Sequence, residues 1–319
     1  INVTHAGSAP LNIGIVDGLS GVRANNGDIR IRSDELNIVE PIVASFGGRN
    51  VTLHPLTANQ SVTLGSKPGG TLGLDAAELN RIAASKLTIG DTANTADIDL
   101  THNVAFTGGP NGVVNNLDLV SQPTGITSLS AELTVPGSIT FNTFALNVDG
   151  PVTSQFGSVS ATADVMAINS PISAAGNITL QPRTNGLQIA LGGADVNGTV
   201  LGLSGTELGR LTYGNSLVVG NNSAGNMDIT ATGEVLANNV ALSTGGTATF
   251  NSPLFETAGT LNITANSISI PGGSLVKGGA GVSITPATVG RNVVLGTKPG
   301  GTALELDTAE LGRLSSDPG

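Results

Sequence analysis

Leu74-Asp75-Ala76-Ala77-Glu78-Leu79-Asn80-Arg81-Ile82 returns as Leu203-Ser204-Gly205-Thr206-Glu207-Leu208-Gly209-Arg210-Leu211, and again as Leu306-Asp307-Thr308-Ala309-Glu310-Leu311-Gly312-Arg313-Leu314. The text around this block returns with it. Leu64-Gly-Ser-Lys-Pro-Gly-Gly-Thr71 matches Leu295-Gly-Thr-Lys-Pro-Gly-Gly-Thr302 at seven of eight positions. Upstream, Asn50-Val-Thr-Leu53 resembles Asn177-Ile-Thr-Leu180 and Gly281-Val-Ser-Ile284, and each is followed by a proline, at Pro55, Pro182 and Pro286. Large repeats therefore begin near residues 36, 164 and 268. The interval from Leu180 to Ile284 is shorter than that from Leu53 to Leu180 by close to the length of one coil. Recurrence of this kind marks a repeat architecture, in which each coil contacts only its neighbours and a whole coil can be gained or lost.

A smaller period lies within the large one. Asp149-Gly-Pro151 returns as Asn169-Ser-Pro171, and each leads through a turn into a short alternating segment. The spacing sets a coil of roughly 20 residues, a length at which repeats stack as solenoids. Ile178/Leu180, Leu187/Ile189/Leu191, Leu261/Ile263 and Ile268/Ile270 alternate with Thr, Asn, Gln or Ser, which puts one apolar set on one face of a strand. These spacings predict an all-β protein, a right-handed parallel β-helix (β-solenoid) running continuously over 1–319, with short helical-turn insertions. Gly and Asn would turn the corners through positive φ. A narrow interior suits Val, Ile, Leu and Ala, in keeping with an aromatic content of 3%. At about 4.8 Å per coil, roughly 16 coils would make a rod about 75–80 Å long.

The recurrent block reads as the helical turn. Ser204 and Glu207 have the capping-box spacing, and Asp75 with Glu78 and Asp307 with Glu310 have it with Asp as the cap. Arg81, Arg210 and Arg313 follow three residues after each Glu, a spacing that predicts an i,i+3 ion pair. Leu79, Leu208 and Leu311 are expected to pack inward. Three Glu/Arg pairs at intervals could also present a repeated ligand site, but capping explains the block without one.

Composition narrows the function. Charged residues are 11% of the chain, against about 25% in an average soluble domain. The aliphatic content is too high for a disordered chain. The net charge of −10 opposes binding to nucleic acid phosphates. No run of 18 apolar residues is present, so no membrane insertion through an apolar helix is expected. There is no cysteine, hence no disulfide and no thiolate metal site, which is compatible with an extracellular address. Ile1 opens the chain without a signal-peptide pattern, which reads as a mature product or an internal fragment.

The repeat text, Asn-Val/Ile-Thr-Leu, Leu-Gly-Ser/Thr-Lys-Pro-Gly-Gly-Thr and Glu-Leu-x-Arg-Ile/Leu, followed by Leu87-Thr-Ile-Gly90 and Leu217-Val-Val-Gly220, resembles the repetitive regions of filamentous-haemagglutinin-like exoproteins. These are large bacterial proteins often exported by two-partner secretion. The resemblance spans nearly all of the chain. It implies a right-handed β-helix, a secreted or cell-surface address and a role as adhesin or structural protein of an extracellular filament. Partners would be the chain itself, head to tail or laterally, and a host or neighbouring cell surface or glycan. No secretion domain is recognisable here, and the third copy stops before its Leu-x-Ile-Gly strand, which reads as part of a longer shaft.

Chemistry is sparse. Some β-helix proteins are polysaccharide lyases or glycoside hydrolases that act through paired carboxylates. Asp97-Ile-Asp99 is the best local candidate, with Asp17 and Asp28 as scattered alternatives, but no aromatic platform accompanies them. No catalytic residue, cofactor site or metal site is nominated, and the chain is not expected to be an enzyme. His5, His54 and His102 are far apart in sequence and lack metal-ligand spacing, so they read as surface residues. Asn-x-Ser/Thr occurs at Asn2, Asn50, Asn59, Asn177, Asn197, Asn221 and Asn262, as corner Asn followed by strand Thr. An ice-binding solenoid would need a Thr ladder, and Thr-x-Thr occurs only sporadically, as at Thr247-Ala-Thr249.

Overall fold

The computed structural model describes residues 1–7, 9–44, 48–93, 96–107, 112–192, 199–230 and 235–316. The protein is an all-β fold of short parallel strands. It divides into two compact units, Ile1–Ala161 with Ala167–Ala175, and Thr162–Met166 with Gly176–Gly319.

The second unit shows the organisation most plainly. Three parallel sheets are visited in turn. The first holds Ile178–Gln181, Ser216–Asn221, Asn239–Thr244, Thr260–Thr264 and Gly281–Thr285. The second includes Met227–Ile229, Thr247–Phe250 and Ser267–Ser269. The third includes Val235–Leu236, Phe255–Thr257 and Val276–Gly278. From Ser216 to Thr285 the chain passes first, second, third, first, second, third, first, second, third, first. Leu217 lies beside Val240, Val240 beside Leu261 and Leu261 beside Val282, so the chain returns to the first sheet at the interval predicted for one coil. The inward residues along this path, Leu217, Val240 and Leu261 among them, are fully buried and stack on one another.

The first unit repeats the logic less regularly. Asn2–Thr4, Ile29–Arg32, Asn50–His54, Ile82–Asp91, Val114–Leu129 and Ile139–Val148 pair in parallel in that order. Val104–Ala105, Leu133–Val135, Val152–Ser154 and Ile172–Ala174 form a second parallel series. One hairpin breaks the pattern. Ile15–Val16 and Leu19–Ser20 pair antiparallel around Asp17-Gly18, whose φ values are 50° and 78°. Asp17, a candidate carboxylate on sequence grounds, is thus a turn residue. Asp-Gly between apolar residues is a strong hairpin signal that the repeat reading passed over.

Corners are built differently from expectation. Among the described asparagines only Asn59 and Asn238 have positive φ. Several Asn and Asp at corners and near strand starts act instead as acceptors for the layer that follows. Asn226 Oδ1 accepts from the Thr247 N–H, Asn239 Oδ1 from Thr260 and Asn266 Oδ1 from Thr288, each at 2.9 Å. In the first unit Asp28 takes the Asn50 N–H at 2.9 Å and Asn116 takes that of Ser138 at 2.8 Å. A corner interrupts the backbone ladder, and these side chains satisfy the amide that would otherwise lack a partner. Glycine does supply positive φ where space is tight. Gly90 and Gly220, at equivalent places in two repeats, have φ of 91° and 82°, and a Cβ there would meet a neighbouring carbonyl oxygen at 2.0 and 2.2 Å.

The interior also accepts aromatic rings. Phe141, Phe250 and Phe255 are buried, and Phe250 meets Phe255 edge-on with centroids 5.7 Å apart.

Candidate functional site

The recurrent block forms three short helices, Ala76–Leu79, Gly205–Leu208 and Thr308–Leu311, each opened by a complete capping box. Asp75 Oδ1 accepts from the Glu78 N–H at 2.8 Å, and Glu78 Oε2 accepts from the Asp75 N–H at 3.1 Å. Asp307 and Glu310 reproduce both distances. Ser204 Oγ accepts from Glu207 N–H at 3.3 Å, with the return bond at 2.8 Å. Leu79 and Leu208 are buried, whereas Leu311 is only half-buried.

The arginines do not make the expected pairs in the first and third copies. Glu78 Oε1 accepts from the backbone N–H of Ile38 at 2.9 Å, and Arg81 Nη1 donates to the carbonyl of the same residue at 2.8 Å. Glu310 and Arg313 hold Ile270 in the same way, at 3.3 and 2.6 Å. The reason is geometric. Each helix is one turn long, and the arginine follows its C-cap, Asn80 or Gly312, so it is not on the helix surface where i,i+3 neighbours meet. A lysine completes each group. Lys67 Nζ donates to Glu78 Oε1 at 2.6 Å and to the Leu36 carbonyl at 2.7 Å, and Lys298 does the same to Glu310 at 2.7 Å and to Ile268 at 3.3 Å. Thus Lys-Pro-Gly-Gly and Glu-Leu-x-Arg, read separately in the sequence, are two halves of one clamp, whose Glu reaches an amide 40 residues upstream in both copies. Every oxygen of the buried Glu78 and Glu310 carboxylates is occupied by the protein, which makes this a structural device.

The carboxylate candidates are likewise engaged or isolated. Asp97 Oδ1 accepts from the Ile126 N–H at 2.8 Å. Asp99 lies in register between Thr63 and Ser128, and burial and the neighbouring Asp97 raise its pKa. Asp28 is committed to Asn50. The described residues contain no group of three His, Cys, Asp or Glu that could hold a metal ion. Thr249 is flanked in register by Asp228 and Ser269, so no Thr ladder forms there. Asn197 lies outside the described residues.

One cluster was not legible in the sequence. His54, expected at the surface, is buried, with 2% of its area exposed. Its Nε2 accepts from Arg30 Nε at 3.0 Å, and its Nδ1 lies 3.5 Å from Asp91 Oδ2, which also meets Arg30 Nη2 at 3.3 Å. Burial, and then the Arg30 charge, hold the His54 pKa below its usual value against the opposing pull of Asp91. For Asp91 burial acts upward, but the Ala93 amide, His54 and Arg30 together leave its pKa below the usual carboxylate value. Arg30, Arg32, His54 and Asp91, with Asn2, Val3 and Thr4, line an open cleft of about 320 Å³. These residues are scattered between Asn2 and Asp91 in the chain, and parallel pairing aligns them: Asn2 with Arg30, Thr4 with Arg32, and Arg32 with His54. A sequence scan for the outward residues of neighbouring strands would have needed the register to find them.

No family model matches this chain, and no curated protein or solved structure matches it either.

Proposed function

We propose that each unit winds as a right-handed parallel β-helix, and that the protein is a structural or adhesive component of an extracellular fibre on a bacterial surface. The observation that carries the first part is the rotation of the chain of the second unit through three parallel sheets, with the parallel series of the first unit following the same logic less regularly. Right-handed winding follows from the strong preference of parallel crossovers within one sheet for that hand. The surface address and the fibre rest on the resemblance of the repeats to filamentous-haemagglutinin-like exoproteins. Stacked coils suit a shaft, because each added layer pairs its backbone with the one before and needs no new core design.

Self-association is the partner interaction this reading favours. Strand edges with apolar residues left open are templates for pairing with another chain, and a head-to-tail contact that does not close on itself makes a filament.

Electron microscopy of the cell-surface material, with an antibody to this chain as locator, tests the proposal. Label running along continuous thin fibres is the expected result. Label confined to soluble particles would overturn the fibre reading.

A further inference from the structure

Positive charge is scarce in this protein, with 13 Lys and Arg against 23 Asp and Glu. Yet Arg30, Arg32 and the His54 imidazole share one cleft of about 320 Å³. Among the described residues, Arg32 is the one Lys or Arg whose side chain has neither a hydrogen bond nor an ion pair; each of the others has a partner. It is exposed, two residues along the same strand from Arg30 and therefore on the same face. Arg30 donates through Nε and Nη2, which leaves its Nη1 without an acceptor. Asp91 is spent on Arg30 and His54, so it orients that pair and leaves Arg32 uncompensated. Asn2 and Thr4 add a carboxamide and a hydroxyl to the wall.

With His54 neutral, two arginines and one aspartate give the cleft a single net positive charge, which matches a monoanion. Guanidinium groups present planar pairs of N–H donors suited to a carboxylate. Beside the charged groups and the His54 imidazole, the wall carries two neutral polar side chains, Asn2 and Thr4, which suit a ligand bearing hydroxyls. The volume is at the lower end of small-molecule sites, the size of one sugar ring. We propose that this cleft binds the carboxylate of a sugar acid, with Arg32 and Arg30 as its donors and Asn2 and Thr4 facing its hydroxyls. The proposal stands apart from the fibre reading and would survive its failure.

Sodium glucuronate is the probe. The protein, carrying ¹³C-labelled histidine, is titrated and the His54 ring signal followed, identified as the one that persists in a His5→Gln, His102→Gln background. Sodium chloride at matched ionic strength is the control. The expected result is a saturable shift of His54 with glucuronate alone. Arg32→Gln weakens binding about tenfold, and Arg32→Lys, which keeps the charge without the fork, weakens it less. Arg32 is exposed and unpaired, so both variants should keep the parent's amide spectrum. The proposal is overturned if the shift does not saturate, if chloride reproduces it, if both Arg32 variants titrate like the parent, or if inorganic sulfate binds more tightly than glucuronate.

Discussion

Tyr213 is buried, and its hydroxyl has no hydrogen-bond partner, so burial pushes its pKa up to about 12. An unpaired buried hydroxyl costs more than it contributes. Tyr213→Phe should therefore leave the urea midpoint unchanged or raise it, by up to about 1 kcal/mol of stability. A clear loss would mean that the hydroxyl has a partner. His54 makes a pH prediction of definite sign. Its folded pKa lies below the ordinary 6.5, so the unfolded chain takes up a proton first as pH falls. The stability attached to the neutral imidazole is complete above 6.5 and declines as pH falls from there toward the folded value. Urea unfolding between pH 7.5 and about 5 should show that decline, and His54→Gln should flatten it. That His54 behaves so could not be read from its neighbours in sequence, because it is buried and the charges that act on it, on Arg30, Asp91 and Arg32, come from two other strands.

At the scale of the element, the capping boxes and the clamps differ in reach. Ser204 to Glu207 is a local arrangement, so Ser204→Ala should cost about 1 kcal/mol, the ordinary loss of a cap. Glu78 does more, because it caps its own helix, holds the Ile38 amide and pairs with Lys67. Glu78→Ala leaves the buried Ile38 amide without its acceptor and Lys67 without its ion-pair partner, and should cost about 3 kcal/mol in the same urea measurement. Equal losses at the two sites would mean that the clamp on Ile38 contributes nothing. The capping boxes were legible because their spacing is short and their chemistry local. The clamps were not, since Lys67 and Arg81 reach residues 31 and 43 positions away. A signal was present all the same: Lys-Pro-Gly-Gly accompanies the block in the two copies where the described residues show the clamp.

At the scale of the whole molecule, the rotation through three sheets makes length a discrete quantity. Residues 240–260 are one full passage through the three sheets, running from Val240 up to its register partner Leu261. Deleting them removes one strand's worth from each sheet and brings Asn239 directly to Leu261, with the apolar and polar faces still in phase. The shortened protein should keep a β-type circular dichroism spectrum and a cooperative unfolding transition, at lower stability. Deleting 240–250 instead, about half a coil, should abolish cooperative unfolding, because every later side chain would be out of register. If the two deletions behaved alike, the repeat would have no structural meaning.

The sequence by itself determined the strand period, the parallel all-β class, the positions of the three helical turns and their caps. All of these depend on residues within a coil's length of one another, or on repetition that is visible without coordinates. Tertiary structure alone decided which residues face each other across layers. It turned corner Asn and Asp into acceptors for the next layer's amides, sent Arg81 and Arg313 to distant carbonyls, and buried His54 between Arg30 and Asp91. The physical reason is register. In a parallel sheet the offset between neighbouring strands is set by the length of the intervening corners, and those lengths vary from layer to layer, so local pattern fixes which side a residue faces but not whom it meets.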